Sequence, residues 1–107
     1  MGTFEIKGEE GVYYAVLKAS NGQVILETHL HTTVAACENN ISSIKKNSFY
    51  DDKFESRDTK NGNYCFLLKA QNGQMIGYSQ EYSSKSGRDN GILSVKKNAP
   101  DANIIYH

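Results

Sequence analysis

The chain has 107 residues, with twelve lysines and arginines balanced by twelve aspartates and glutamates, and two cysteines. That length is one domain's worth, and the charge balance leaves no net field to gather nucleic acid or anionic lipid. No stretch reaches membrane-span length, Met1 to Gly8 lacks a charged head followed by an apolar run, and Cys37 and Cys65 read as free thiols, so a cytoplasmic protein without membrane insertion is expected.

Phe4-Glu5-Ile6-Lys7 alternates apolar and polar, the period of a half-buried strand, and Gly8 to Gly11 reads as a turn. Tyr13–Ala19 and Val24–Thr28 are strand-like runs around Asn21-Gly22, which predicts a two-residue type I′ hairpin. In that register Ala19 opposes Val24, Leu17 opposes Leu26 and Ala15 opposes Thr28 on the core face. Tyr14, Val16, Lys18, Ile25, Glu27 and His29 then fall on the other face. Beyond His31 the period becomes helical, with Val34, Cys37, Ile41, Ile44 and Ser48 on one stripe, Thr32 or Thr33 as N-cap, and Lys45 and Lys46 at the negative end of the helix dipole.

The chain then says the same thing again. Lys18-Ala19-Ser20-Asn21-Gly22-Gln23 returns as Lys69-Ala70-Gln71-Asn72-Gly73-Gln74, and Ile44-Lys45-Lys46-Asn47 returns as Val95-Lys96-Lys97-Asn98. Phe54–Arg57 takes the part of the first strand, Tyr64–Ala70 and Met75–Ser79 form a second hairpin, and Ser83 or Ser84 caps a helix through Lys97. Pro100 ends that helix, and Ile104-Ile105-Tyr106 is a short last strand. Either half, about 1–53 or 54–107, is too small to bury an adequate core, so one domain made of two tandem repeats sharing a single core is expected. The fold class is α+β: β-β-β-α-β units merged into one mainly antiparallel sheet, with two helices on one face and a pseudo-twofold relation between the halves.

The run Leu17-Lys18-Ala19 with Asn21-Gly22-Gln23, the segment Tyr82-Ser83-Ser84-Lys85, Ala36-Cys37-Glu38-Asn39 in one copy, and Asn90-Gly91-Ile92 with Val95-Lys96-Lys97-Asn98-Ala99 in the other together resemble the YegP-like family. These are small bacterial proteins whose duplicated domain is of unknown function. The resemblance implies that the last strand of each unit is exchanged to the other. His31-Thr32-Thr33-Val34 departs from the family's Tyr-Ser-Ser-Lys run, which only the second copy keeps.

No catalytic motif, cofactor loop or metal-ligand cluster stands out. His29, His31 and Cys37 have Gln80, Tyr82 and Arg88 at the matching places, so solvent-facing histidines and a buried inert thiol are expected rather than a zinc site or a nucleophile. Two surfaces are candidates. Tyr14, Val16, Ile25, Leu67, Ile76 and Tyr78 would form an open apolar sheet face rimmed by Lys18 and Lys69, suited to a protein or peptide partner or to weak self-association of a monomer. Asn39, Ser43 and Lys46, repeated as Asn90, Ser94 and Lys97, would form a polar helix strip. A non-enzymatic binding module is the leading expectation. The alternatives are an enzyme with a site near Tyr82–Lys85, where hydroxyls at a helix start could hold an anion, and a nucleic-acid accessory protein, which the charge disfavours.

Overall fold

In the computed structural model, which describes residues 2–107, each hairpin closes through a three-residue loop rather than the two-residue turn that Asn-Gly predicts. Gly22 N donates to Ala19 O and Ala19 N to Gln23 O, while Gly22 alone takes a positive φ, +85°. Asn21 instead accepts a hydrogen bond from Gln23 N on Oδ1. A type I turn closed by a left-handed glycine results, and it recurs at Ala70–Gln74 with Gly73 at +84°. The extra loop residue moves Val24 opposite Lys18 rather than Ala19.

Around these turns run β1 (Thr3–Glu9), β2 (Val12–Lys18), β3 (Val24–Glu27), α1 (Val34–Asn47), a single 3-10 turn (Asp51–Lys53), β4 (Phe54–Asp58), β5 (Tyr64–Lys69), β6 (Met75–Tyr78), α2 (Lys85–Asn98) and β7 (Asn103–Tyr106). They form one seven-stranded sheet in the order β4-β5-β6-β3-β2-β1-β7. Every pairing is antiparallel except β1 with β7, so the last strand of the second copy is delivered to the first copy's edge, as the exchange implied by the resemblance requires. The exchange is made once: after α1 the chain passes through the 3-10 turn directly into β4.

The pleat then slips a second time. Leu17 pairs with Leu26 but Lys18 with Val24, so Ile25 is an extra residue in β3; Ile76 is the same extra residue in β6, between Leu68↔Gly77 and Lys69↔Met75. A bulge puts two residues against one and breaks the strict alternation. Ile25 and Ile76, expected on the open face, are consequently buried in the core at 5% and 6% exposure.

One apolar cluster spans both copies, from Phe4, Ala15, Leu17, Cys37, Ile41 and Ile44 to Phe66, Leu68, Ile76 and Val95. The radius of gyration, 13.1 Å, is that of one globule of this length, about 13 Å. The seam in the sheet itself is thin, with Glu27↔Tyr78 the pair that joins β3 to β6. The helices close it by crossing over: α1 packs on β6 and β5 as well as on β1 and β2, and α2 packs on β3 as well as on β5.

The helix starts follow local chemistry. Thr33 Oγ1 accepts from Ala36 N at 3.0 Å and Ser84 Oγ from Gly87 N at 2.9 Å, satisfying amides that have no helical partner. The two helices differ in depth. Cys37, Ile41 and Ile44 are fully buried in α1, whereas in α2 only Val95 of the large apolar residues is, and Ile92 is half-buried. Tyr82 takes up the difference, lying stacked on Phe66 with ring centroids 6.3 Å apart.

Candidate functional site

Cross-strand pairing lays out the open sheet face in a row: Glu55, Leu67, Tyr78, Glu27, Val16, Glu5 and Ile105, from β4 to β7. Carboxylates therefore alternate with apolar groups, and the face is no continuous apolar patch. Val16 is itself 4% exposed, while Tyr14, Leu67 and Tyr78 are half-buried. The rim lysines do not stand out as free charges either. Lys18 Nζ bonds Glu5 at 2.9 Å, Lys69 bonds Glu55, and Arg57 and His107 add to the two clusters. The lysine bonds hold both carboxyls below the ordinary carboxylate range.

The polar helix strip is split in two. Lys46 joins Asn47, Tyr50, Asp52, Lys53 and Gln71 around a hollow of about 250 Å³ at the end of α1, where Lys53 and Asp52 pair at 3.7 Å. Asn90 and Ser94 instead line a different hollow. The repeated serines also have a structural role: Asn47 Nδ2 donates to the Ser43 carbonyl and, at 3.3 Å, to Ser43 Oγ, and Asn98 Nδ2 likewise to the Ser94 carbonyl and, at 3.2 Å, to Ser94 Oγ, each tying down the last turn of its helix. Asn39, Lys46, Asn90 and Lys97 are exposed.

The hydroxyls near Tyr82–Lys85 do not gather. Ser84 is occupied as the cap, Lys85 sits over the Tyr64 ring at 6.0 Å, and the Tyr82 side chain reaches inward along α2, away from the helix start. Among the described residues no three His, Cys, Asp or Glu groups come together as a metal site. Burial raises the Cys37 thiol pKa, with Glu38 adding to the effect. His29 is solvent-facing, but the expectation fails for His31: its ring turns in, Nε2 is buried without a partner, and burial lowers its pKa, reinforced by His29, whose ring lies 4.6 Å away.

The hollow that contains Asn90 and Ser94 is a cleft of about 230 Å³ between the first hairpin and α2, also lined by Ile25, Tyr82, Gly87 and Gly91. In the other half a side chain spans the counterpart place. There the position of Gly91 is Asn40, whose Nδ2 donates to the carbonyl of the bulge residue Ile76 at 2.7 Å, and the position of Gly87 is Ala36. In the open half the equivalent carbonyl is that of Ile25, and Gly91 has no side chain to offer it. A Cβ on Gly91 would lie 2.5 Å from the Tyr82 hydroxyl, so large Tyr82 and small Gly91 go together; the first copy has His31 and Asn40 at these positions. Burial raises the pKa of the Tyr82 hydroxyl further above the neutral range, in which a phenol is protonated in any case. The sequence signal for this cleft lay in the non-identical repeat positions Tyr82, Gly87 and Gly91, which a search for identities passes over.

The comparisons with known proteins agree with the fold. The domain of unknown function DUF1508 matches twice, at residues 9–55 and 59–105. A UPF0339 protein of Mannheimia succiniciproducens is 47% identical over 92% of this chain and 88% of its own length, and the UPF0339 protein YegP of Escherichia coli K12 is 38% identical over 96% and 94%. The solution NMR structure of a UPF0339 protein from Shewanella oneidensis superposes with a TM-score of 0.91 at 40% identity, covering 98% of this chain and 90% of that one. That of yegP from E. coli, titled a protein of unknown function, gives 0.91 at 37% over 99% and 92%. Two tandem DUF1508 units, full-length likeness to YegP and a shared seven-stranded architecture make this chain a member of the UPF0339 family.

Proposed function

We propose that the protein is a small cytoplasmic, non-enzymatic binding module that takes a low-molecular-weight polar ligand in the cleft between the first hairpin and α2. One observation carries this reading: at repeat-equivalent places Asn40 and Ala36 bring side chains where Gly91 and Gly87 bring none, and although the Tyr82 hydroxyl takes the space beside Gly91, a cleft of about 230 Å³ remains. Interiors pack to high density, and the first half supplies a side-chain combination that would close the space. A glycine inside a helix costs up to about 1 kcal/mol relative to alanine; at Gly91 the Tyr82 ring accounts for that cost, whereas a Cβ on Gly87 would meet nothing closer than 3.2 Å. Two free cysteines suit a reducing compartment, and no helix among the described residues is long and apolar enough to cross a membrane.

The test is an amide NMR spectrum of the labelled protein with the small-molecule fraction of a bacterial cytoplasmic extract. Movement of the Ile25, Gly87 and Gly91 signals is expected, and it should be lost in the double variant Tyr82→His/Gly91→Asn, which rebuilds the filled arrangement. Movement confined to Tyr14, Val16, Leu67 and Tyr78 would transfer binding to the open sheet face, and no movement at either place would refute the reading.

A further inference from the structure

Resting on that cleft as the binding site, we infer that its ligand presents a primary carboxamide. The protein holds its own example of the bound state. Each bulge leaves one residue outside the regular ladder, and in the filled half the carbonyl of that residue, Ile76, receives the carboxamide Nδ2 of Asn40 at 2.7 Å. In the open half Ile25 occupies the same bulge, it and Gly91 both line the cleft, and the repeat relation turns its carbonyl to the place where Ile76 meets Asn40. Its carbonyl can only accept, so the ligand must bring an N–H.

The second group is the Tyr82 hydroxyl, which stands over Gly91 in the space a Cβ would take. Its oxygen can accept as well as donate, and its proton is used only by a ligand that offers an acceptor beside the N–H that meets Ile25. A primary carboxamide carries a donor and an acceptor on one planar carbon. A carboxylate has no donor and would set negative charge against the Ile25 carbonyl; an ester likewise has no donor; an ammonium gives the Tyr82 proton nothing to bond. The volume, about 230 Å³, suits an amide on a single ring or a short chain, with Asn90 and Ser94 available at the wall.

The probe is benzamide, with benzoate and methyl benzoate as isosteric controls, titrated into the labelled full chain and followed through the Ile25 and Gly91 amides. Benzamide is expected to saturate, and each control to bind at least about tenfold more weakly. Tyr82→Phe, which removes one oxygen, should weaken benzamide about two- to twelve-fold, the range for one hydrogen bond. The double variant Tyr82→His/Gly91→Asn should abolish binding; if it does not fold, the Tyr82→Phe comparison carries the test. Equal affinity for benzamide and either control, or no effect of Tyr82→Phe, overturns the carboxamide assignment while leaving the cleft as a binding site. No saturable movement of cleft signals with any probe overturns both.

Discussion

Replacing Asn40 by alanine isolates the bond that joins the halves where the sheet joins them least. Asn40 is 9% exposed, and its Nδ2 reaches from α1 of the first copy to the Ile76 carbonyl of the second at 2.7 Å. Alanine removes the donor and leaves a main-chain acceptor on a residue 6% exposed. An acceptor orphaned in that way costs about 1–3 kcal/mol, so the expected loss is about 2 kcal/mol. For a chain of this size that lowers the melting temperature by about 8–16 °C. Asn40→Asp should lose more at neutral pH, because it turns a carboxylate toward the carbonyl. Urea denaturation and calorimetry read both variants. A change within about 0.5 kcal/mol for Asn40→Ala would mean that water replaces the amide freely, and the comparison between filled and open halves would lose its basis.

Ile41→Asp should unfold the protein, since Ile41 is completely buried between the helices and the sheet, while Ile92→Asp, at the half-buried equivalent position, should leave a folded protein with a lower melting temperature; equal effects would contradict the unequal seating of α1 and α2. A thiol reagent at neutral pH should label partly exposed Cys65 in the native protein and reach Cys37 only after denaturation, and rapid labelling of both would refute the inert-core assignment. Burial lowers the His31 pKa below 6.5, so the unfolded chain binds its proton first as pH falls. The associated stability is complete above pH 6.5 and declines as pH drops toward the folded value. His31→Gln should flatten that slope in the window above the carboxylates, where Glu5 and Glu55 begin to contribute only below pH 4.5. An unchanged slope would place another group in control.

What could be read from the chain divides along a physical line. Helix caps are local chemistry, so Thr33 and Ser84 were legible as hydroxyls set just before helical periods. Asn-Gly was legible as a turn but has two solutions one residue apart, and the structure uses the three-residue one. That slip, followed by the bulge, carried Ile25 and Ile76 to the core, which pleat counting could not foresee because it assumes an unbroken alternation. An exchange of last strands came from family resemblance, which implied it for both units where the structure makes it once, with β7 on β1; periodicity says nothing about which edge a last strand joins. The cleft was hidden for another reason. In the chain Gly91 is one residue of a family-like run and Tyr82 a hydroxyl near a cap, and only the structure sets them against each other and beside Ile25 in one cleft.

The most direct test of a core completed jointly by the two copies is the first copy made alone, residues 1–53, studied at low micromolar concentration by amide proton dispersion and sedimentation. Without β6 and α2, Ile41, Ile44, Ile25 and Leu26 lose the second half's share of their apolar cover, and a unit of this length falls below the size at which one core sustains a fold. The predicted result is narrow, unfolded-type dispersion in the monomer, with any folding confined to concentrations at which two copies associate. Wide, native-like dispersion in a sedimenting monomer would contradict it.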